Sequence, residues 1–144
     1  MRAEQILRYI HSKEGMCAAR EYLSAYLRLD AGIAVKQSRA DILRARRAVC
    51  GEMNLPALDA LEEEIQRDYS ALLLRQKQIG DAIGNVPGEM SRLVLESHYL
   101  QGLPFFRIAM NLHYDERQIY RFHRQGLQHV AAQLAIRAAD PEVP

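Results

Sequence analysis

The stretch PFFRIAMNLHYDERQIYRFHRQGLQHV, residues 104–130, decides the fold. Pro104 suits the first position of a helix, because its fixed φ is already helical and its missing N–H has no partner there to lose. The spacing predicts a short helix from Phe105 to Asn111 that buries Phe105 or Phe106, Ile108 and Leu112, with Ala109 small where two helices cross. Asp115 is a good N-cap for the next helix, and Gln118 three residues later completes a capping-box pattern. Tyr114 and Ile119 flank the cap as a hydrophobic staple. The link between the two helices is then only Leu112–Tyr114, the tight connection of a helix-turn-helix.

The helix after Asp115 has two unlike faces. At about 100° per residue, Ile119, Phe122, Gly126, Val130 and Leu134 fall on one side. Arg117, Arg121, Arg124 and Gln128 fall on the other, flanked by Tyr120 and Gln125. Arginine bonds a guanine edge bidentately or clamps a phosphate, and glutamine pairs with adenine. A second helix with that outer face is shaped for a major groove.

Upstream, Met90–Leu100 is a third helix that stops at Gln101-Gly102. Asn85-Val86-Pro87-Gly88 is a break. It divides an N-terminal arm, 1–86, from a three-helix head, 87–136, with a frayed tail at 137–144. Within the arm, residues 3–12 form a short helix ending near Gly15. From Cys17 to Val49 a helical stripe follows, in which Tyr26, Leu29, Ile33, Ala40 and Leu43 recur, interrupted by Lys36 and Arg47. Gly51–Pro56 is a turn. From Ala57 to Gly84 a near-heptad repeat of Leu58, Leu61, Ile65, Leu72, Ile79 and Val86 returns, flanked by Tyr69 and Ile83. The fold class is therefore all-α: a coiled-coil-like helical hairpin followed by a helix-turn-helix head.

Charge supports the hairpin. The 144 residues carry a net charge of +1, but residues 17–50 stand at +4 and residues 51–90 at −5. Opposite strips facing each other across a seam disfavour other pairings more than they stabilise this one. The seam closes either within one chain or between two, as a homodimer. A general coat for nucleic acid has a much larger positive excess, so any DNA binding here depends on a local patch.

The stretch LVLESHYLQGLPFFRIAMNLHYDERQIYRFHRQGLQHV resembles the region-four helix-turn-helix of bacterial sigma factors. The whole chain resembles phage and prophage transcriptional regulators of the RinA/ArpU kind. The motifs HYLQGLPFFRIA and LHYDERQIYRFHRQGL carry most of the likeness, with weaker support from EYLSAYLRLDAGI and LEEEIQRDY. The resemblance implies promoter binding on double-stranded DNA, control of phage genes such as late or packaging genes, and RNA polymerase as a partner. Carried onto this chain, the DNA-reading residues are Arg117, Gln118, Tyr120, Arg121 and Arg124. Three positions depart from the pattern. His113 stands at a turn position that commonly holds Gly, Leu103 where Ser or Thr would cap, and Gly126 where Ala is expected. The glycine should weaken its helix by about 1 kcal/mol.

No other chemistry is indicated. Of His11, His98, His113, His123 and His129, only His98 and His123 can be placed near the head's core, and neither has an Asp, Glu or Cys neighbour at ligand spacing, so no metal is expected. The consecutive Glu62-Glu63-Glu64 point in different directions around a helix and make no catalytic pair. With no phosphate loop and no nucleophile motif, neither a catalytic residue nor a cofactor is expected, and the chain is read as a non-enzyme. Cys17 and Cys50 end one helix about 50 Å apart, too far to pair. With no signal peptide and no run of ~20 apolar residues, a cytoplasmic protein off the membrane is expected. Two alternatives share the helical pattern: a DNA-binding phage packaging component of the small-terminase type, and a helical protein-interaction module.

Overall fold

A computed structural model describes residues 2–50 and 56–139 of the chain. Among these residues there are six α-helices and no strand: α1 (Ala3–Ile10), α2 (Lys13–Cys50), α3 (Pro56–Gly84), α4 (Glu89–Tyr99), α5 (Phe105–Leu112) and α6 (Glu116–Ala139). The all-helical expectation holds. The expected turn at Gly51–Pro56 lies outside the described residues except for Pro56, which opens α3.

Two boundaries differ from the sequence reading by three residues or more. α2 begins at Lys13 and not at Cys17, because the Ser12 hydroxyl accepts the Gly15 N–H at 3.0 Å and donates to the Tyr9 carbonyl at 2.6 Å. Gly15 is thus inside α2 and not a terminator of α1. A Cβ there would lie 2.0 Å from the Tyr9 carbonyl oxygen, so this corner closes only around glycine. At the other end, α6 runs to Ala139, which makes residues 137–139 helical where fraying was expected. Buried Ala135 shows why: the helix is still packed one turn beyond Val130 and Ala131. Residues 140–144 lie outside the described chain.

α2 and α3 run antiparallel, since Lys36 meets Glu64 and Asp68 while Arg44, further along α2, meets Glu62. Ile33, Ala40, Leu58, Leu61, Ile65 and Leu72 fill the seam, with Tyr26, Leu29 and Leu43 at its margin. The seam closes within one chain. Lys36, which looked like a flaw in the stripe, reaches across to hydrogen-bond Glu64 at 2.9 Å and Asp68 at 2.5 Å. Those bonds, Asp68 first, raise its ammonium pKa.

A second core joins the base of this pair to the C-terminal helices. Leu23 of α2, Ile79 and Ile83 of α3, Val86, Leu95 and Tyr99 of α4, and Leu127 and Val130 of α6 pack together. Each fully buried aliphatic side chain contributes roughly 1.5–3 kcal/mol, far more than any exposed ion pair along the seam. α6 crosses α4 at Gly126, where an added Cβ would lie 2.7 Å from Leu95 Cδ1 and 2.9 Å from its Cγ.

A third, smaller core of Val94, Ile108, Ala109 and Ile119 holds α5 in the angle between α4 and α6. Phe105 and not Phe106 packs inward; Phe106 is 52% exposed. α5 starts at Phe105 as expected, with Pro104 as its N-cap at ψ 156° and not as its first helical residue; the Pro104 carbonyl accepts the Ile108 N–H at 3.1 Å. α5 ends on His113 at φ 59°, the one positive-φ non-glycine among the described residues. The left-handed region costs a side chain about 1 kcal/mol relative to glycine. His113→Gly is therefore expected to stabilise the protein by about 0.5–1 kcal/mol, read as a higher melting temperature. An unchanged or lower one would mean that the imidazole offsets its own strain.

Candidate nucleic-acid interface

The connection from α5 to α6 is His113, Tyr114 and Asp115. The left-handed His113 reverses the chain, returning its own N–H and that of Tyr114 to the Ala109 carbonyl. Asp115 then accepts the Gln118 N–H at 2.8 Å through Oδ1, one half of the expected capping box; the return bond to the Gln118 side chain is not formed. The staple forms differently from the expectation: the Tyr114 ring packs edge-on against Phe122, with centroids 5.5 Å apart. Ile119, its expected partner, is fully buried in the third core.

With Ile119, His123, Leu127 and Val130 turned inward, the opposite face of α6 is left to solvent. There Arg117, Gln118, Tyr120, Arg121 and Arg124, together with Asp115, line one concavity of about 730 Å³. Arg117, Arg121 and Arg124 are exposed. None has an acidic partner within 4.0 Å among the described residues. The nearest carboxylate in the concavity, Asp115, is engaged by the cap. Tyr120, 46% exposed, is steadied by the Phe105 ring 4.9 Å away.

The remaining two predicted positions lie elsewhere. Gln125 and Gln128 line a separate groove with Phe122, His129 and residues 87–91. Gln128 is half-buried and hydrogen-bonded to His11 of α1, Nε2 to Nδ1 at 3.2 Å. Gln128 also shares a second concavity with Arg124, and its hydrogen bond ties α6 to α1.

Beneath the arginine face lies an aromatic cluster whose members, but not their pairing, could be placed near the core from sequence. His123 is buried, and its Nε2 shares a 2.7 Å hydrogen bond with the Tyr99 hydroxyl. Burial, then the nearby His98 and Arg20, holds the His123 pKa down to about 4. Burial also pushes the Tyr99 phenol up to about 12. His98 stacks on Phe105 at 4.1 Å, and its Nδ1 bonds the Leu103 carbonyl at 2.8 Å. These two histidines are satisfied members of the packing that supports α6.

The groove along α2 and α3 has the opposite electrostatic character. Asp41, Asp59, Glu62 and Glu63 line it, and its sole cation, Arg44, is paired with Asp41 and Glu62. It offers nothing to a polyanion. Among the described residues no group of three His, Cys, Asp or Glu stands close enough to hold a metal ion. No described helix is long and apolar enough to cross a membrane. No protein-family model, curated protein or solved structure matches the chain.

Proposed function

We propose that this chain is a sequence-specific DNA-binding transcriptional regulator of phage or prophage genes. In this reading α5 and α6 are the two arms of a helix-turn-helix, α4 completes its three-helix head, and the α2–α3 hairpin is the arm. One observation carries it: three exposed arginines without acidic partners line one concavity on the outer face of a capped helix. From Arg117 to Arg124 the helix rises about 10 Å, close to the roughly 12 Å width of a major groove. The short α5–α6 turn and the resemblance to sigma-factor region four support the same conclusion. That resemblance also brings in RNA polymerase as a partner. Val35, Ile42 and Val49, exposed at seven-residue spacing along α2, are where a second chain would pair in a homodimer.

The test begins with selection of a preferred duplex from a random-sequence pool, followed by gel-shift titration. Arg117→Ala and Arg121→Ala are each expected to weaken binding to the selected duplex by roughly 5- to 150-fold, the loss of about 1–3 kcal/mol for one base-edge contact. Wild-type affinity in both variants would remove this face from the mechanism. Failure to enrich any sequence would overturn the specific reading.

A further inference from the structure

The concavity on α6 does not end at Arg124. That residue also lines a second concavity of about 410 Å³, whose other walls are Gln128, the α1–α2 corner and the start of α2. The corner supplies Lys13 and Arg20 to it, both exposed and both without an acidic partner within 4.0 Å among the described residues. A continuous cationic surface therefore runs from Arg117 through Arg121 and Arg124 to Arg20 and Lys13, joining residues more than ninety positions apart in the chain.

The corner is fixed in place. Ser12 bonds both the Tyr9 carbonyl and the Gly15 N–H, Gly15 has no room for a side chain, and His11 is tied to Gln128 of α6. Lys13 and Arg20 are thus carried at a set position beside the C-terminal end of the arginine stripe. The seven helical steps from Arg117 to Arg124 already span about one groove width. Cations standing beyond Arg124 then meet the groove's lip, where the sugar-phosphate strand runs.

We propose that Lys13 and Arg20, at the α1–α2 corner, grip the phosphate backbone of the same duplex whose groove receives α6. This rests on the DNA-binding reading above. It gives the N-terminal helices a part in the interface, and it divides the work: α6 discriminates sequence, while the corner adds affinity without discrimination.

Full-length protein is titrated over a series of salt concentrations against two duplexes, the selected sequence and a shuffled one of the same composition. The double variant Lys13→Gln/Arg20→Gln keeps most of each side-chain stem and is compared with wild type, its fold checked by its melting temperature. Losing two phosphate contacts lowers the magnitude of the slope of log K against log salt by about 1.8, at ~0.9 per contact. Affinity is expected to fall about tenfold or more at low salt, by the same factor on both duplexes, leaving their ratio unchanged. Arg121→Ala, by contrast, lowers that ratio. The Lys13→Arg/Arg20→Lys exchange restores the slope. A wild-type slope in the Gln/Gln variant, with wild type binding normally, overturns the corner's role alone. A changed ratio between duplexes overturns the division of work. Absence of wild-type binding to either duplex overturns both this inference and the reading beneath it.

Discussion

Gly126→Val is expected to destabilise the protein by about 3 kcal/mol or more, and Gly126→Ala by about 1 kcal/mol. On helix propensity alone the alanine variant should gain about 1 kcal/mol, because α6 would exchange its most flexible interior residue for the best helix former. The opposite sign is expected here because of Leu95. Its Cδ1 and Cγ lie 2.7 and 2.9 Å from where the new Cβ would stand. Leu95 is fully buried, so its side chain cannot swing out into solvent. Overpacking of this kind costs about 1–3 kcal/mol, and valine adds two further methyl groups to the same contact. Urea denaturation measures the series. Combining Gly126→Ala with Leu95→Ala should cost less than the two single changes together, since the smaller partner makes room for the added methyl. A Gly126→Ala protein more stable than wild type would show that α4 and α6 do not cross this closely. The crossing matters for the interface because it sets the direction in which α6 presents Arg117, Arg121 and Arg124.

What the sequence disclosed and what it hid follow from the range of the interactions involved. The cap at Asp115, the burial of Ile119 and the exposure of Arg117, Arg121 and Arg124 are decided within one or two helical turns, and the pattern of residues carries them directly. The heptads of α2 and α3 were legible for the same reason. Lys36 was not, because the residues that satisfy it lie 28 and 32 positions away on α3. Gly126 looked like a defect because its cause is a side chain on another helix. Gln128 fell on the arginine face by angle alone, but its hydrogen-bond partner is 117 residues distant. Lys13 and Arg20 counted as arm residues until the fold set them beside Arg124. Proline is ambiguous in a different way: its fixed φ fits both an N-cap and a first helical position, and Pro104 takes the former while α5 starts at Phe105.

Between pH 6.5 and pH 4 the protein is expected to lose about 3 kcal/mol of stability through His123 alone. The folded imidazole has its pKa lowered to about 4, first by burial and then by the positive charges of His98 and Arg20. In the unfolded chain it titrates near its ordinary value of 6.5. Within this window the unfolded state holds a proton that the folded state does not, so stability rises with pH at about 1.4 kcal/mol per unit. Above pH 6.5 both states are neutral and the contribution is constant. Below pH 4 both are protonated and the loss is complete. Carboxylates that titrate at the lower end add their own slope, so the measurement is a difference. His123→Gln keeps a polar group facing the Tyr99 hydroxyl but removes the titration. Its stability should be flatter than wild type between pH 6.5 and 4, whatever the packing cost of the substitution at neutral pH. Parallel profiles for the two proteins would show that His123 reaches solvent readily enough to take up its proton in the folded state. The same buried ring carries α6 on its far side, where the arginines stand. On the DNA-binding reading, any loss of duplex binding over this interval should track the unfolded fraction, because the folded His123 stays neutral down to about pH 4.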